Sequence, residues 1–142
     1  MSNQRIRWRL LNLEKALRRL DAVLAMTLDE EKTIRDSAVQ RFEFTFECCW
    51  KALYACLVFE GIPVTEAPRR TFVESYARQW LDGEDFWLQM LEDRNNTSHG
   101  YDEEKAAEIY RRLPAYRDAI RAVLEKLQRE YADSQTLTGE KP

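Results

Sequence analysis

Histidine, glycine, proline and cysteine are scarce in this chain of 142 residues, which contains one, four, four and three of them respectively. So few glycines and prolines argue against a turn-rich β architecture. The chain has no second Cys/His cluster to complete a zinc site, so we expect neither a metal nor a cofactor.

It has no signal peptide and no apolar run long enough to span a bilayer, so we expect a cytoplasmic protein without a membrane partner. Three cysteines lie in one apolar helical pattern and are expected to be buried reduced thiols: Cys48, Cys49 and Cys56.

The charge of the chain is nearly balanced overall but uneven along its length. Lysine and arginine total 22 against 25 acidic residues, and the net charge of −3 does not suggest a protein that coats nucleic acid. Within residues 1–20, however, Glu14 is the only acidic residue among six basic ones. This N-terminal basic stripe consists of Arg5, Arg7, Arg9, Lys15, Arg18 and Arg19. It is either a solvated helix face, which is the simpler interpretation, or a surface that attracts an anionic partner.

Hydrophobic residues recur at helical spacing over most of the chain. The first segment predicts a long amphipathic helix with a seam at Ile6, Leu10, Leu13, Leu17, Leu20 and Leu24. Residues 41–47 alternate polar and apolar side chains as a strand does, but the wider window keeps helical spacing. We therefore predict one helix that ends near Gly61, with Gly61 in the left-handed conformation. Phe44 and Trp50 fall off its main seam and indicate a second buried face, which a partner subunit would cover.

Two short helices are predicted after a loop at residues 62–68. The first ends at Asp82–Gly83 and is defined by Phe72, Val73, Tyr76 and Trp80. The second runs into Arg94 and is defined by Phe86, Trp87, Met90 and Leu91. Asp102 can cap a last long helix, in which Pro114 should cause a kink. The seam of that helix is Ala106, Ile109, Leu113, Tyr116, Ile120, Val123, Leu127 and Tyr131.

These elements predict an all-α fold, an antiparallel bundle of three long and two short helices. Short connections favour antiparallel neighbours. The bundle should form one domain over residues 1–131. Beyond it, residues 132–142 lose the apolar pattern and are expected to be a disordered tail.

The most informative segment is the polar break at residues 93–102, which holds the only histidine, His99. Residues 95–98 are poor helix formers, so we expect the helix to break there. On a continuous helix Arg94 and His99 would lie about 140° apart around the axis, whereas a break lets both face one ligand. Arginine offers a planar fork of donors to phosphate oxygens, and histidine can move a proton near neutral pH.

Arg94 and His99 together form a minimal metal-free set for cleaving a phosphodiester. His99 would move the proton of an attacking RNA 2′-hydroxyl or of the leaving group, while Arg94 stabilises charge on the phosphorus oxygens. A two-fold dimer would supply a second copy of each residue. The simpler interpretation is structural, because both side chains can cap carbonyls and hold the loop while Tyr101 packs as a hydrophobic staple.

Three segments of the chain carry a family resemblance: Gln40–Lys51, Pro68–Phe72 and Met90–Glu104, the last of which contains an R-x4-H-x-Y motif. Through them the chain resembles the HEPN superfamily. It is most similar to the small helical proteins described as nucleotidyltransferase substrate-binding proteins, which look like the HepT toxins of HepT/MntA toxin–antitoxin pairs. The resemblance extends over about residues 5–131.

The resemblance implies an all-helical homodimer in which Arg94 and His99 of both subunits line a shared cleft and cleave RNA without a metal. It also implies that a minimal nucleotidyltransferase partner, similar to MntA, silences the toxin by transferring AMP from ATP to Tyr101. Asn95 matches a commonly polar family position and would orient phosphate. The matched second-helix signature adds three charged candidates for nucleotide or RNA binding, which form either a solvated face or a wall of the cleft: Glu43, Glu47 and Lys51.

Three functions remain open at this point. The chain is a dimeric HEPN ribonuclease toxin, or a non-catalytic subunit that docks a nucleotidyltransferase and presents a substrate to it, or a purely structural bundle. A structural bundle explains the leucine seams but not the polar break. The presence of both Arg94 and His99 favours the enzyme over the binding subunit.

Overall fold

Five helices make up the regular structure of this protein. The computed structural model describes residues 3–26, 31–98 and 102–131. For residues 31 and 32 it describes the backbone alone. The helices are α1 (Gln4–Leu24), α2 (Glu31–Phe59), α3 (Pro68–Ala77), α4 (Glu84–Asn96) and α5 (Glu103–Tyr131). The described ranges contain no strand, so the predicted all-α fold and its order of long and short helices are confirmed. The predicted disordered tail, like His99 and Tyr101, lies outside the described residues.

The three long helices α1, α2 and α5 pack on one another around the main core. Helix α1 is antiparallel to α5, because Asn3 bonds to the carbonyl of Tyr131 at one end while Asp21 pairs with Arg121 further along. Helices α2 and α5 run parallel, with Phe42 stacked on Tyr116 and Glu60 bonded to Tyr131. The predicted antiparallel packing therefore does not hold for this pair, because the two short helices between α2 and α5 return the chain to the end where α2 begins.

The predicted seam of α1 forms the centre of the core. Its first five residues are at most 1% exposed: Ile6, Leu10, Leu13, Leu17 and Leu20. At the end of the helix Val23 is buried and Leu24 is only partly buried, so the last seam position is shifted by one residue. The predicted seam of α5 is likewise buried from Ile109 to Tyr131, with Ala106 partly exposed.

Helix α2 resolves the conflict between the strand-like and the helical pattern. Residues 41–47 are helical, with Phe42 and Phe46 in the core and Phe44 53% exposed. Trp50 is buried by its own chain, and its indole N–H donates to Glu47 at 3.1 Å. The inference that a partner subunit covers Trp50 was therefore wrong, because α2 contacts α1, α3, α4 and α5 and needs apolar residues on more than one face.

Two predicted helix ends have the expected chemistry. Gly61 has φ +74°, and Ile62 N–H donates to the Leu57 carbonyl at 3.0 Å, which closes the end of α2. At the start of α5 the Asp102 carboxylate accepts the N–H of Glu104 at 3.0 Å, so the predicted cap is confirmed. Helix α5 continues without interruption past Pro114, and the kink expected at that residue stays a prediction.

The cysteines are free thiols, as predicted. Cys49 and Cys56 are buried, and burial raises the pKa of both thiols well above the ordinary range. Cys48 is half-buried. None of the described helices is long and apolar enough to cross a membrane.

Replacing Leu17 by alanine should test the core directly. Leu17 is 1% exposed, so Leu17→Ala leaves a cavity and should lower the free energy of unfolding by about 2–5 kcal/mol. Met26→Ala is the matched control, because Met26 is 47% exposed and its loss should change stability by less than about 0.5 kcal/mol. Urea denaturation followed by circular dichroism measures both. Equal effects of the two substitutions would place Leu17 outside the core.

Candidate functional site

The last turn of α4 places Arg94 against α2. Its Nη2 lies 3.5 Å from Oε1 of Glu47, and its Nη1 donates to Oγ of Ser98 at 2.8 Å. The Arg94 side chain is 24% exposed, so the guanidinium is partly shielded and still reachable from solvent. Arg94 and Glu47, both candidates from the sequence, are therefore brought together from positions far apart in the chain.

The second-helix candidates line the side of α2 that faces this guanidinium. Oε2 of Glu43 accepts a 2.8 Å hydrogen bond from the Thr97 hydroxyl, just beyond the end of α4. Lys51 Nζ lies 3.8 Å from Oε2 of Glu47, one turn along α2. Of the two interpretations left open above, this geometry favours a wall of a cleft for Glu43 and Glu47. Their assignment to RNA or nucleotide binding stays a prediction.

Helix α4 ends later than the composition of its last turn suggested. Asn95 and Asn96 are still helical, and the chain turns only at Thr97 and Ser98, so the predicted break at residues 95–98 was partly wrong. The extra length is stabilised by side chains, because the Thr97 hydroxyl is also 2.7 Å from the carbonyl of Arg94. Asn95 is exposed.

His99, Gly100 and Tyr101 lie outside the described residues. The pairing of Arg94 with His99 and the exposure of the Tyr101 hydroxyl therefore stay predictions. The two residues that flank this connection, Ser98 and Asp102, are both exposed.

A buried carboxylate that the sequence reasoning missed anchors the end of α4. Asp93 is 3% exposed and accepts two hydrogen bonds from Arg112 of α5, from Nε at 2.8 Å and from Nη2 at 2.9 Å. The Tyr116 hydroxyl donates to the same carboxylate at 2.5 Å. The sequence did indicate that Asp93 would be buried, because it falls at helical spacing on the apolar stripe that runs through Phe86 and Met90.

The Asp93 carboxylate also shifts the pKa values of its two partners. The hydrogen bond to Asp93 raises the pKa of Arg112 above its ordinary value. Burial raises the pKa of Tyr116, and its hydrogen bond to Asp93 raises that pKa further. At neutral pH Arg112 therefore stays charged and Tyr116 keeps its hydroxyl proton. Both side chains donate to Asp93, which directly precedes Arg94.

A cavity of about 380 Å³ opens beside this region, between α2 and α5. Its polar lining includes Glu43 and Gln40 from α2, Thr97 after α4, and Asp102 and Lys105 at the start of α5. The cavity therefore borders both ends of the connection that carries His99 and Tyr101 in the sequence. Within the described ranges no three His, Cys, Asp or Glu side chains come together as a metal site.

Residues 8–129 match the family described as nucleotidyltransferase substrate binding protein like. The chain belongs to this family. A similar fold is found among the solved structures, in the crystal structure of a protein from Thermus thermophilus. That protein is 37% identical to this chain, and the alignment covers 82% of this chain and 98% of the other with a TM-score of 0.75. None of the curated proteins matches the sequence.

This member of the nucleotidyltransferase substrate binding protein-like family should depend on Asp93 for the stability of its candidate site. Asp93→Asn keeps the shape of the side chain but removes the charge that Arg112 and Tyr116 share. We expect the free energy of unfolding to fall by about 1–3 kcal/mol, because the Arg112 guanidinium and the buried Tyr116 hydroxyl lose the carboxylate that accepts their hydrogen bonds. Asp118→Asn is the control, since that carboxylate on α5 is 70% exposed and its pairing with Arg117 is screened by water. If chemical denaturation shows the same loss for both variants, Asp93 is not the anchor described above.

Proposed function

We propose that this chain is the HEPN-type toxin of a toxin–antitoxin pair and acts as a metal-independent endoribonuclease. The observation that carries the proposal is the placement of Arg94, which is partly shielded beside Glu47 and precedes the only histidine by five residues. Arginine in such a setting is suited to bind phosphate, because shielding strengthens its electrostatic field while its fork of donors matches phosphate oxygens.

In this proposal His99 moves the proton of the RNA 2′-hydroxyl or of the leaving oxygen, and Arg94 stabilises the charge that develops on the phosphorus oxygens. The current partners of Arg94 are replaceable, since the contact with Glu47 is long at 3.5 Å and Ser98 is exposed. Its Nε is buried and has no hydrogen-bond partner in the described part of the chain. Nη1 and Nη2, whose present contacts are replaceable, are therefore the donors that a substrate phosphate would reach, which supports the proposed role.

A homodimer completes the proposed site, because one histidine cannot be acid and base in the same step. A two-fold axis would bring a second Arg94 and His99 to the cleft. Phe44 supports this arrangement, since a phenylalanine that is 53% exposed lies on α2 directly after the cleft residue Glu43. Burial of Phe44 against a second copy would remove that apolar surface from water.

The proposal includes silencing by a minimal nucleotidyltransferase, similar to MntA, that transfers AMP to Tyr101. The family description supports such a partner, because it names a nucleotidyltransferase. The exposure of Ser98 and Asp102 on either side of the connection also supports it, since an enzyme must reach the Tyr101 hydroxyl from solvent.

A second candidate function is a non-catalytic subunit that binds a substrate and presents it to the nucleotidyltransferase. The family description favours this function in its plain wording. The 380 Å³ cavity also favours it, because a concave site with several polar groups suits a small ligand. In that case Arg94 and Glu43 would hold the ligand or the loop rather than take part in catalysis.

The first test of the proposal is loss of toxicity in His99→Ala and in Arg94→Ala. Each variant should abolish growth arrest and RNA degradation when the chain is expressed alone, because the proton carrier or the phosphate-binding group is removed. Arg70→Ala, at an exposed position on α3, serves as the control and should remain toxic. Growth curves and total RNA profiles measure the outcome, and circular dichroism checks the fold. A toxic His99→Ala variant contradicts the nuclease, and a harmless wild type favours the presenting subunit.

The second test separates the proposed switch from the nuclease. Tyr101→Phe should stay toxic but escape control by the nucleotidyltransferase, because phenylalanine lacks the hydroxyl that accepts AMP. Tyr76→Phe is the matched control, since Tyr76 is 42% exposed on α3 and should not affect neutralisation. Intact-mass spectrometry after incubation with the partner and ATP shows whether one adenylate is added. Continued neutralisation of Tyr101→Phe rules out Tyr101 as the switch.

A further inference from the structure

A second cavity, of about 270 Å³, lies between the start of α1 and the last third of α2. Three cations line it, Arg5 and Arg9 from α1 and Lys51 from α2. Two aromatic rings, those of Tyr54 and Phe59, share the lining. These five residues line the basic groove. Two of them, Arg5 and Arg9, belong to the N-terminal basic stripe, and the groove is separate from the cavity beside Asp102.

Two of the three cations of the basic groove, Arg5 and Arg9, are poorly neutralised, whereas Lys51 lies 3.8 Å from Glu47 and Glu66 also lines the groove. Burial lowers the pKa of Arg9, and the like charge of Arg5 one turn away lowers it further, while Glu66 acts in the opposite direction. Across the described ranges, no carboxylate lies within ion-pair distance of Arg5 or Arg9. The stacking of the Arg9 guanidinium over the Trp8 ring, at 4.7 Å from the centroid, keeps it in place without cancelling its charge.

Side chains of α2 link the basic groove to the candidate site. Lys51 lines the groove and also approaches Glu47, whose other oxygen meets Arg94. The helical rise places Tyr54 about 10 Å along α2 from Glu47.

The chemistry of the groove fits single-stranded nucleic acid better than the acidic surface of a protein. Proteins that bind single strands combine cations along the backbone path with aromatic rings on which bases stack. Phe59 is 38% exposed, so its ring is accessible to a base. An acidic protein surface would use the cations but has no need of a concave site lined with aromatic rings.

We propose that Arg5, Arg9 and Lys51 bind backbone phosphates of single-stranded RNA that extends from the candidate site, with Tyr54 and Phe59 as stacking surfaces. This inference rests on the proposed ribonuclease function and assigns its substrate to the single-stranded class. It also gives part of the N-terminal basic stripe a role in substrate binding.

The test measures RNA binding by the full chain in a His99→Ala background, so that the probe is not cut. The probe is a fluorescent oligouridylate of about twelve nucleotides, compared with a duplex RNA of equal length. The test variant is Arg5→Gln/Arg9→Gln. The control, Lys15→Gln/Arg19→Gln, removes the same charge from exposed positions of the same helix that do not line the groove. Fluorescence anisotropy between about 50 and 200 mM salt gives the affinity and its salt dependence.

The groove variant should bind the single strand at least tenfold more weakly than its parent, while the control variant changes by less than twofold. The slope of log affinity against log salt should fall by about 1.4, because each phosphate contact on a single strand contributes about 0.7. If Arg5→Gln/Arg9→Gln misfolds, Arg5→Gln alone serves, since Arg5 is exposed, and its slope should fall by about 0.7.

Equal losses in the groove and control variants, or equal affinity for duplex and single strand, would overturn the proposal. It would also be overturned if the groove variant lost only its binding to the nucleotidyltransferase, because the groove would then be a protein surface. Cleavage by the wild type is measured in parallel. Specific binding without cleavage would leave the groove standing and refute the nuclease, whereas cleavage with unchanged binding by the groove variant would refute the groove alone.

Discussion

The buried carboxylate of Asp93 is the constraint on which the candidate site depends. A buried charge is tolerated only when it is paired and fully hydrogen-bonded, and Arg112 and Tyr116 together meet that requirement. Consecutive residues of a helix point about 100° apart, so fixing Asp93 against α5 turns Arg94 toward α2. The contact between Thr97 and Glu43 then holds the same turn from the opposite side. The end of α4 is therefore clamped between two long helices.

Helix α2 supports candidate residues of both the site at Arg94 and the basic groove. It carries Glu43 and Glu47 beside Arg94, Lys51 one turn further on, and Tyr54 in the basic groove. Because these residues share one uninterrupted helix of 29 residues, their spacing is set by helical geometry rather than by flexible connections. Changes at the end of α4 can alter the position of Arg94 without altering the distances along α2.

The parts of the fold that depend on local periodicity were predictable from the sequence, whereas contacts between distant residues were not. The seam from Ile6 to Leu20, the left-handed Gly61 and the cap at Asp102 all depend on residues close in the chain, and all are confirmed. Trp50 was misinterpreted because periodicity shows that a face is apolar but not which neighbour covers it. The partners of Asp93 lie 19 and 23 residues away. The identity of an aspartate does not reveal whether its carboxylate is buried or solvated. Only tertiary packing brings such residues together.

The two oxygens of Glu47 have different partners, and this division affects how easily the site can reorganise. Oε1 meets Arg94, while Oε2 accepts from the Trp50 indole and lies near Lys51. The Oε2 contacts come from the same helix, three and four residues further along, so they hold the carboxylate even where the 3.5 Å contact between Oε1 and Arg94 is lost. Glu47 therefore keeps its place on α2 independently of α4, whose last turn can shift without leaving that carboxylate unpartnered.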